Sequence, residues 1–305
     1  YNFIINENGK VTSYKAISEI TGTENENTVT LDSTKKNQVV VPAGFKVVNP
    51  SATVQDGIIV EDVSHSATKG SQFVWIPVGT INKNDGSTAE INLERYTVVW
   101  GNKQIASNPT DQLISSPSGS QYYWETLKDK AENSIANAKD IIDFKSRAES
   151  SHGYYVGRYE ARVTTERQIG SDKPSQITEN SNDYVCNYVT QNTASELSQK
   201  MYSDSNFESD LINSMAWDTA MTYLDKCSGN SNYSSSALNN SYSNKGTTTD
   251  VVCNIYDMAG NYREQTTENC KTGYWVTRKA LERSATQVPS QSNLNGESFR
   301  PILYL

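Results

Sequence analysis

Thiols and imidazoles are the side chains of this sequence best suited to redox or metal chemistry, and both are few. The 305-residue chain contains Cys186, Cys227, Cys253 and Cys270, together with His65 and His152. No two cysteines form a C-x-x-C pair, so neither a zinc ribbon nor a thioredoxin-like redox site is expected. Three disulfide pairings are compatible with four cysteines, and buried free thiols are the alternative.

Other catalytic signatures are missing from the sequence. It has no G-x-S-x-G elbow, no H-E-x-x-H helix and no phosphate-binding P-loop. The two histidines are far apart in the chain, so we expect each to have a packing or surface role and not to contribute to a multi-histidine iron site. Acidic residues are plentiful, and a carboxylate pair brought together by folding stays open, but the sequence singles out no such pair.

Composition limits the classes of partner. The chain has a formal net charge of -8, a pI near 5.0 and a mean hydropathy of -0.64, and only 35% of its residues are hydrophobic. A phosphate backbone would be repelled unless a local basic patch existed, and we find none, so nucleic-acid binding is not expected. No apolar stretch reaches the length of about 18 residues that a membrane span needs. Eighteen tyrosines suit a binding surface, although most single tyrosines fill strands or core.

Apolar periodicity predicts three helices. A stripe from Trp124 to Ile142 is typical of one long amphipathic helix with a structural role. A second helix is predicted over residues 193–202. A third is predicted from a cap at Asn213 or Ser214 to Lys226, with its Met, Trp and Leu side chains in the core.

Short apolar runs bounded by Pro, Gly, Asp and Ser predict strands within residues 39–48, 57–60 and 72–78. Gly260 and Asn261 mark a tight turn, and the apolar stretch 298–305 indicates a buried closing strand. The Ser/Asn/Tyr-rich segment 229–249 is long for a loop inside a compact domain, which is typical of a functional or disordered loop.

Four blocks of the sequence resemble the C-type lectin-like fold as used by formylglycine-generating enzymes and by the variable proteins of diversity-generating retroelements. They are GYYVGRYE (153–160), INSMAWDTAMTYL (212–224), DMAGNYREQ (257–265) and SFR (298–300), and a weaker fifth match, RKAL (278–281), keeps only the family's Arg. The resemblance covers about residues 150–305. It implies an α+β fold with antiparallel strands, a few helices and long polar loops.

The expected organisation is an extended N-terminal stalk or β segment over residues 1–38, followed by one lectin-like domain over residues 39–305. The Phe299–Leu305 stretch is expected to pair near the early strands. The family's enzymes act through a pair of cysteines placed just after the RKAL position, and no cysteine lies between Arg278 and Arg300. We therefore expect a protein that is not an enzyme and has no cofactor. The E-P-N and Q-P-D triplets of calcium-dependent sugar binding are also missing, and whether any metal binds stays open.

The resemblance implies a variable, ligand-binding C-terminal region over residues 262–297. The side chains expected to contact ligand are Tyr262, Gln265, Tyr274, Trp275, Lys279, Leu281, Glu282, Ser284, Gln287, Ser290, Ser292, Asn293 and Asn295. A chemically mixed segment between matching framework blocks is typical of a scaffold that holds a recognition surface.

The function that the resemblance implies is that of a receptor- or adhesin-type protein, displayed on a bacterial or phage surface and diversified by a retroelement. Its partner would be a protein or glycan on a cell or phage-host surface, and its location extracellular or at the cell surface. Because the chain starts at Tyr1, an N-terminal leader or anchor is expected to have been removed. The alternatives are an enzyme of the formylglycine-generating superfamily and a pilin-like structural subunit.

Overall fold

The computed structural model of the chain describes residues 4–5, 11–13, 25–94, 141–203, 206–231, 233–235, 242–271, 274–279, 286–289 and 297–305. Three α-helices lie within these residues: α1 (Ile141–Ser150), α2 (Gln191–Met201) and α3 (Ser214–Cys227). The strands are β1 (Ile4–Ile5), β2 (Val11–Ser13), β3 (Thr28–Leu31), β4 (Gln38–Val41), β5 (Phe45–Val47), β6 (Ile59–Asp62), β7 (Gln72–Pro77), β8 (Gly79–Asn82), β9 (Thr88–Ile91), β10 (Gly153–Gly157), β11 (Arg162–Val163), β12 (Tyr184–Val185), β13 (Glu208–Leu211), β14 (Val251–Val252), β15 (Ile255–Tyr256), β16 (Arg263–Lys271), β17 (Tyr274–Arg278), β18 (Thr286–Pro289), β19 (Glu297–Phe299) and β20 (Pro301–Tyr304). The fold is therefore α+β, as the sequence predicts.

A six-stranded antiparallel sheet forms the centre of the fold. Its strand order is β13-β20-β10-β7-β6-β5, so the C-terminal strand lies between two strands from the middle of the chain. The register pairs Tyr155 with Trp75 on one side and with Leu303 on the other. All five residues of β10 are buried, which explains why this segment is apolar without alternation.

One hydrophobic core joins residues from both ends of the described chain, from Val39 to Tyr304. Helix α3 packs its Met215, Trp217 and Met221 side chains into this core, as the sequence predicts. The helix begins where the Asn213 side chain accepts a hydrogen bond from the Ala216 N–H at 2.7 Å, which satisfies one of the donors that a helix start leaves open.

A second sheet positions the C-terminal residues. Its order is β18-β17-β16-β19, with β19 parallel to β16. Helices α2 and α3 both contact β16, and residues 264–267 of that strand are buried. The chain then turns at Arg300 from β19 into β20, which joins the second sheet to the central one.

Several sequence-based expectations need correction. Strand β3 pairs with β4 from Thr28↔Val41 to Leu31↔Gln38, and Thr30 is fully buried, so residues 25–38 fit the β-segment alternative and not the extended stalk. The expected domain boundary at residue 38 falls inside this hairpin. The expected long helix lies outside the described residues except for its end, where Ile142 is 73% exposed and so does not continue an apolar stripe. Strand β20 pairs with β10 and β13 and not directly with a strand from the first hundred residues.

Candidate ligand-binding surface

A buried ion pair fixes the junction between the two sheets. The Arg300 Nε donates to Glu264 Oε1 at 2.7 Å, and its two terminal nitrogens donate to the Gly157 and Tyr256 carbonyls at 2.7 and 2.8 Å. The second oxygen of Glu264 accepts from the Trp217 indole N–H at 2.8 Å. A buried pair needs such extra hydrogen bonds because desolvating two charges is otherwise unfavourable. The matching sequence blocks thus meet at one point.

A second buried carboxyl group, that of Glu160, holds the turn that carries Asn261. Its Oε1 accepts from the Tyr262 N–H and from the Ser298 hydroxyl, both at 3.0 Å, and its Oε2 accepts from the Asn261 side-chain amide. Burial first, and then the nearby Asp257 carboxyl, raise the pKa of Glu160 to about 8. This carboxyl therefore takes up a proton near neutral pH, where its unfolded counterpart is ionised.

Asn261 links this buried framework to the surface. Its φ is +52°, a left-handed conformation that Asn tolerates better than most residues. Its Oδ1 accepts from the Ser243 N–H at 2.8 Å, which ties down the segment 242–245 across 18 residues of chain. Its carbonyl accepts from the Lys279 ammonium at 3.0 Å. One buried residue thus positions two separate parts of the surface.

The surface itself is built from tyrosine rings and lysines. Tyr242 is 57% exposed, its ring centroid lies 4.9 Å from that of Tyr262, and the Lys279 ammonium lies 5.6 Å from the Tyr242 centroid. Beside it, the Lys245 ammonium lies 4.7 Å above the Tyr184 ring. We call Tyr184, Tyr242, Lys245, Tyr262 and Lys279 the tyrosine patch.

The segment 242–245 joins the tyrosine patch to the strand pair β11–β12. The Val185 N–H donates to the Asn244 carbonyl at 2.8 Å, and a further bridge pairs Tyr184 with Lys245. Nearby, Tyr188 has a φ of +52°, which is uncommon for an aromatic residue. Arg167 holds this conformation by donating to the Asn187 and Tyr188 carbonyls at 2.7 and 3.0 Å. Strained backbone of this kind is concentrated at functional sites.

The chemistry of the tyrosine patch is that of recognition. Tyrosine combines a large apolar face with a polar tip at little entropic cost, and a lysine above a ring adds a cation-π contact. Tyr262 donates its hydroxyl to the Asn244 side-chain oxygen, so its ring is the floor of the patch and Tyr242 its exposed top. Such a surface can bind a partner by shape and hydrogen bonding.

The structure places the sequence-predicted contact residues differently. Tyr262 and Gln265 were expected to be exposed, but they are 3% and 0% exposed, and the Gln265 amide donates to the buried Val189 carbonyl at 3.0 Å. Gln265 lies in β16, which α2 and α3 both contact, whereas Tyr262 precedes that strand and packs against the Tyr242 ring. Lys279 is half-buried, and its ammonium lies 5.6 Å from the Tyr242 ring centroid.

Some of the remaining predicted contact residues belong to β17 or β18, and the others lie outside the described residues. Tyr274 and Trp275 lie in β17, and Gln287 lies in β18, where it pairs with Val276. Leu281, Glu282, Ser284, Ser290, Ser292, Asn293 and Asn295 lie outside the described residues. The described part of the surface thus ends at Lys279, where the predicted variable segment continues.

Sequence reasoning missed Tyr184, Tyr242 and Lys245 as members of the surface. The available signal was the Ser/Asn/Tyr composition of residues 229–249, which indicated a functional loop without selecting a residue. Glu160 was part of a matching block, but its role in fixing the Asn261 turn required the fold.

The described part of the chain contains three free thiols and no cluster of metal-binding side chains. Cys186, Cys227 and Cys253 are free, and burial raises the pKa of each thiol to about 12. A thiol with so high a pKa is a poor nucleophile at neutral pH. Within the same residues, no group of three or more His, Cys, Asp or Glu side chains is arranged to hold a metal ion.

None of the helices in the described residues has the length and apolar character needed to cross a membrane. The chain matches no family model, no curated protein and no solved structure.

Proposed function

We propose that this protein is a ligand-binding protein of the receptor or adhesin type, and that the tyrosine patch is the described part of its recognition surface. The observation that carries this proposal is the exposed Tyr242 ring, whose centroid lies 4.9 Å from that of Tyr262 and 5.6 Å from the Lys279 ammonium. A large apolar side chain held in the open by a buried framework favours binding to a partner, because exposure of that ring to water is otherwise unfavourable.

The finer part of the proposal is a C-type lectin-like fold of the formylglycine-generating-enzyme type, diversified over residues 262–297 by a retroelement and displayed on a cell or phage surface. Its support is the four sequence blocks, together with the buried contacts among their residues: Trp217 and Arg300 both donate to Glu264, and Asn261 donates to Glu160. The gene neighbourhood tests it. A reverse transcriptase gene beside a near-repeat of the 3′ coding end supports diversification, and a locus without either contradicts it.

Partner binding is tested by replacing Tyr242. Glycan arrays and intact bacterial cells are screened with the wild-type protein, and the affinity of each ligand found is then measured for Tyr242→Ala and for Lys145→Ala, a control on the surface of α1. We expect Tyr242→Ala to weaken binding by about 30-fold, since an aromatic hot spot contributes roughly 2 kcal/mol. The control should bind normally. Ligands whose affinity is unchanged by Tyr242→Ala would exclude the tyrosine patch.

The enzyme alternative requires a reactive thiol, which the high pKa of the described cysteines disfavours. In a Cys270→Ser background, we expect iodoacetamide to label the native protein at neutral pH at least about 100-fold more slowly than the urea-unfolded protein. Rapid labelling of the native protein, together with turnover of a C-x-P-x-R peptide, would favour the oxidase. A pilin-like structural role predicts instead that the protein assembles and that Tyr242→Ala changes no binding.

A further inference from the structure

A polar groove of about 590 Å³ lies beside the tyrosine patch. Its walls are the segments 163–167 and 171–178, which run away from the strand pair β11–β12, and Ala67 closes one side. Val163 pairs directly with Tyr184, so the two side chains lie on the same face of that strand pair. The volume falls in the range of about 300–1,000 Å³ that is typical of small-molecule sites.

One of the residues that line the groove, Arg167, is a buried cation. Arg167 is 8% exposed, and its Nε, Nη1 and Nη2 atoms donate to the Asn187, Asp172 and Tyr188 carbonyls at 2.7, 2.8 and 3.0 Å. A guanidinium group has five N–H donors, and these bonds use three of them. Within the described residues Arg167 makes no ion pair, although buried charges are usually paired.

The walls supply groups that both donate and accept hydrogen bonds. Thr164, Thr165 and Gln176 line the groove, and their side chains make no hydrogen bond to any part of the chain that the structure describes. Hydroxyl and amide groups can act in both directions, as the hydroxyl groups of a sugar do. The Glu166 and Asp172 carboxylates add acceptors for adjacent hydroxyls.

Charge and composition exclude other ligand classes. The lining has a net charge of about -1, since it contains the acidic side chains of Glu166 and Asp172 and the basic side chain of Arg167. This charge disfavours phosphates and other polyanions. Sites for apolar cofactors are lined mainly by hydrophobic and aromatic side chains, whereas the lining residues here are mostly polar. An uncharged polyhydroxylated ligand fits both constraints.

We infer that this groove binds a neutral saccharide without a metal ion, the vicinal hydroxyls being held by Arg167, the two carboxylates and the wall amide and hydroxyl groups. The groove is separate from the tyrosine patch, and one hydrogen bond connects them, from the Asn244 amide to Glu166 Oε1 at 3.2 Å. The inference goes beyond the proposed function, because it requires neither a diversified C-terminal segment nor a macromolecular partner.

Saturation-transfer NMR tests the groove directly. The probes are the methyl glycosides of glucose, galactose, mannose and N-acetylglucosamine, each at about 10 mM. We expect at least one glycoside to receive saturation from the wild-type protein. The double variant Asp172→Asn/Gln176→Ala should weaken its affinity by about tenfold or more. Both side chains lie outside the core, so the melting temperature should stay unchanged. The matched control is Asp143→Asn on α1, another aspartate whose side chain is largely exposed.

Three outcomes would overturn the inference: no saturation transfer to any of the four glycosides, undiminished binding by the double variant, or tighter binding of methyl glucuronide or inorganic phosphate than of a neutral glycoside. Tyr242→Ala separates the two proposals. If the groove is an independent site, this variant keeps glycoside binding even where it loses a macromolecular partner. Loss of glycoside binding in Tyr242→Ala, with the double variant unaffected, would assign the sugar to the tyrosine patch and exclude the groove.

Discussion

Replacing Asn261 tests how the buried framework positions the tyrosine patch. In Asn261→Ala, Glu160 loses the amide donor and the Ser243 N–H loses its acceptor at 2.8 Å. At neutral pH the Glu160 carboxyl is largely protonated, so each of these hydrogen bonds contributes about 1 kcal/mol, whereas above a pH of about 8 the bond to the ionised carboxylate contributes about 1.5–3 kcal/mol. Alanine is also strained at a φ of +52°, by about 1 kcal/mol or more. We therefore expect the free energy of unfolding to fall by about 3–5 kcal/mol.

Asn261→Gly separates the backbone from the side chain. Glycine adopts a positive φ without strain but makes neither hydrogen bond, so this variant should be about 1 kcal/mol more stable than Asn261→Ala and still clearly less stable than wild type. Urea denaturation of all three proteins measures the difference. The midpoint should shift while the slope stays constant, since a change of slope would indicate altered compactness of the native or unfolded state.

The effect of Asn261→Ala should also depend on pH. The folded pKa of Glu160, about 8, is above the value of about 4.3 of an unfolded glutamate, so its contribution to stability is full below pH of about 4.3 and is lost as pH rises through 8. Without the Asn261 amide, the ionised carboxylate has one donor fewer, so the pKa of Glu160 rises further and the loss extends to higher pH. This reasoning would be refuted if Asn261→Ala destabilised the protein equally at a pH of about 5 and of about 9. It would also be refuted if Asn261→Ala were as stable as Asn261→Gly.

Two further predictions concern the central sheet. Gly57→Ala should destabilise the protein by at least about 2 kcal/mol more than Gly70→Ala. Both glycines have a similar positive φ, but only at Gly57 would the added Cβ meet a neighbour, the Cys253 carbonyl oxygen at 2.0 Å. Equal unfolding midpoints would show that this contact can relax. Burial alone would raise the pKa of Asp62, but its hydrogen bonds, led by that from the His65 side chain, lower this pKa overall. The stability that this carboxylate contributes is therefore present above a pH of about 3.9 and is lost as the pH falls further. The gap between wild type and Asp62→Asn should therefore narrow in acid, and a gap independent of pH would contradict the assignment.

Local signals predicted the local elements of the fold. The cap and the apolar side of α3 are properties of residues a few positions apart, and the structure confirms both, with Asn213 as the cap. The second helix begins within two residues of its predicted start, capped by the Thr190 hydroxyl. The strands around Ile59, Phe73 and Tyr155 are also confirmed, since apolar runs between turn residues identify buried strands without knowledge of their partners.

The candidate site depends on contacts that no short segment contains. Tyr242 joins it through a hydrogen bond from Ser243 to Asn261, and Tyr184 joins it through pairing with Lys245, 61 positions away in the chain. Burial of Gln265 depends on α2 and α3 lying over β16, and an exposed strand would show the same residue types. Sequence alone therefore predicted elements of the buried framework, but not which side chains face water.

The division between framework and surface explains which residues of the site can change. Tyr242 and Lys245 contribute exposed atoms, so their replacement removes little buried area and leaves no buried polar group without a partner. Asn261 and Glu160 are buried and hydrogen-bonded to each other, so replacing either leaves an unsatisfied polar group inside the protein. A surface that must vary while the fold persists requires this separation. Tyr242→Ala should therefore alter binding alone, whereas Asn261→Ala should alter stability. This contrast follows from the burial of the two side chains and not from their positions along the chain.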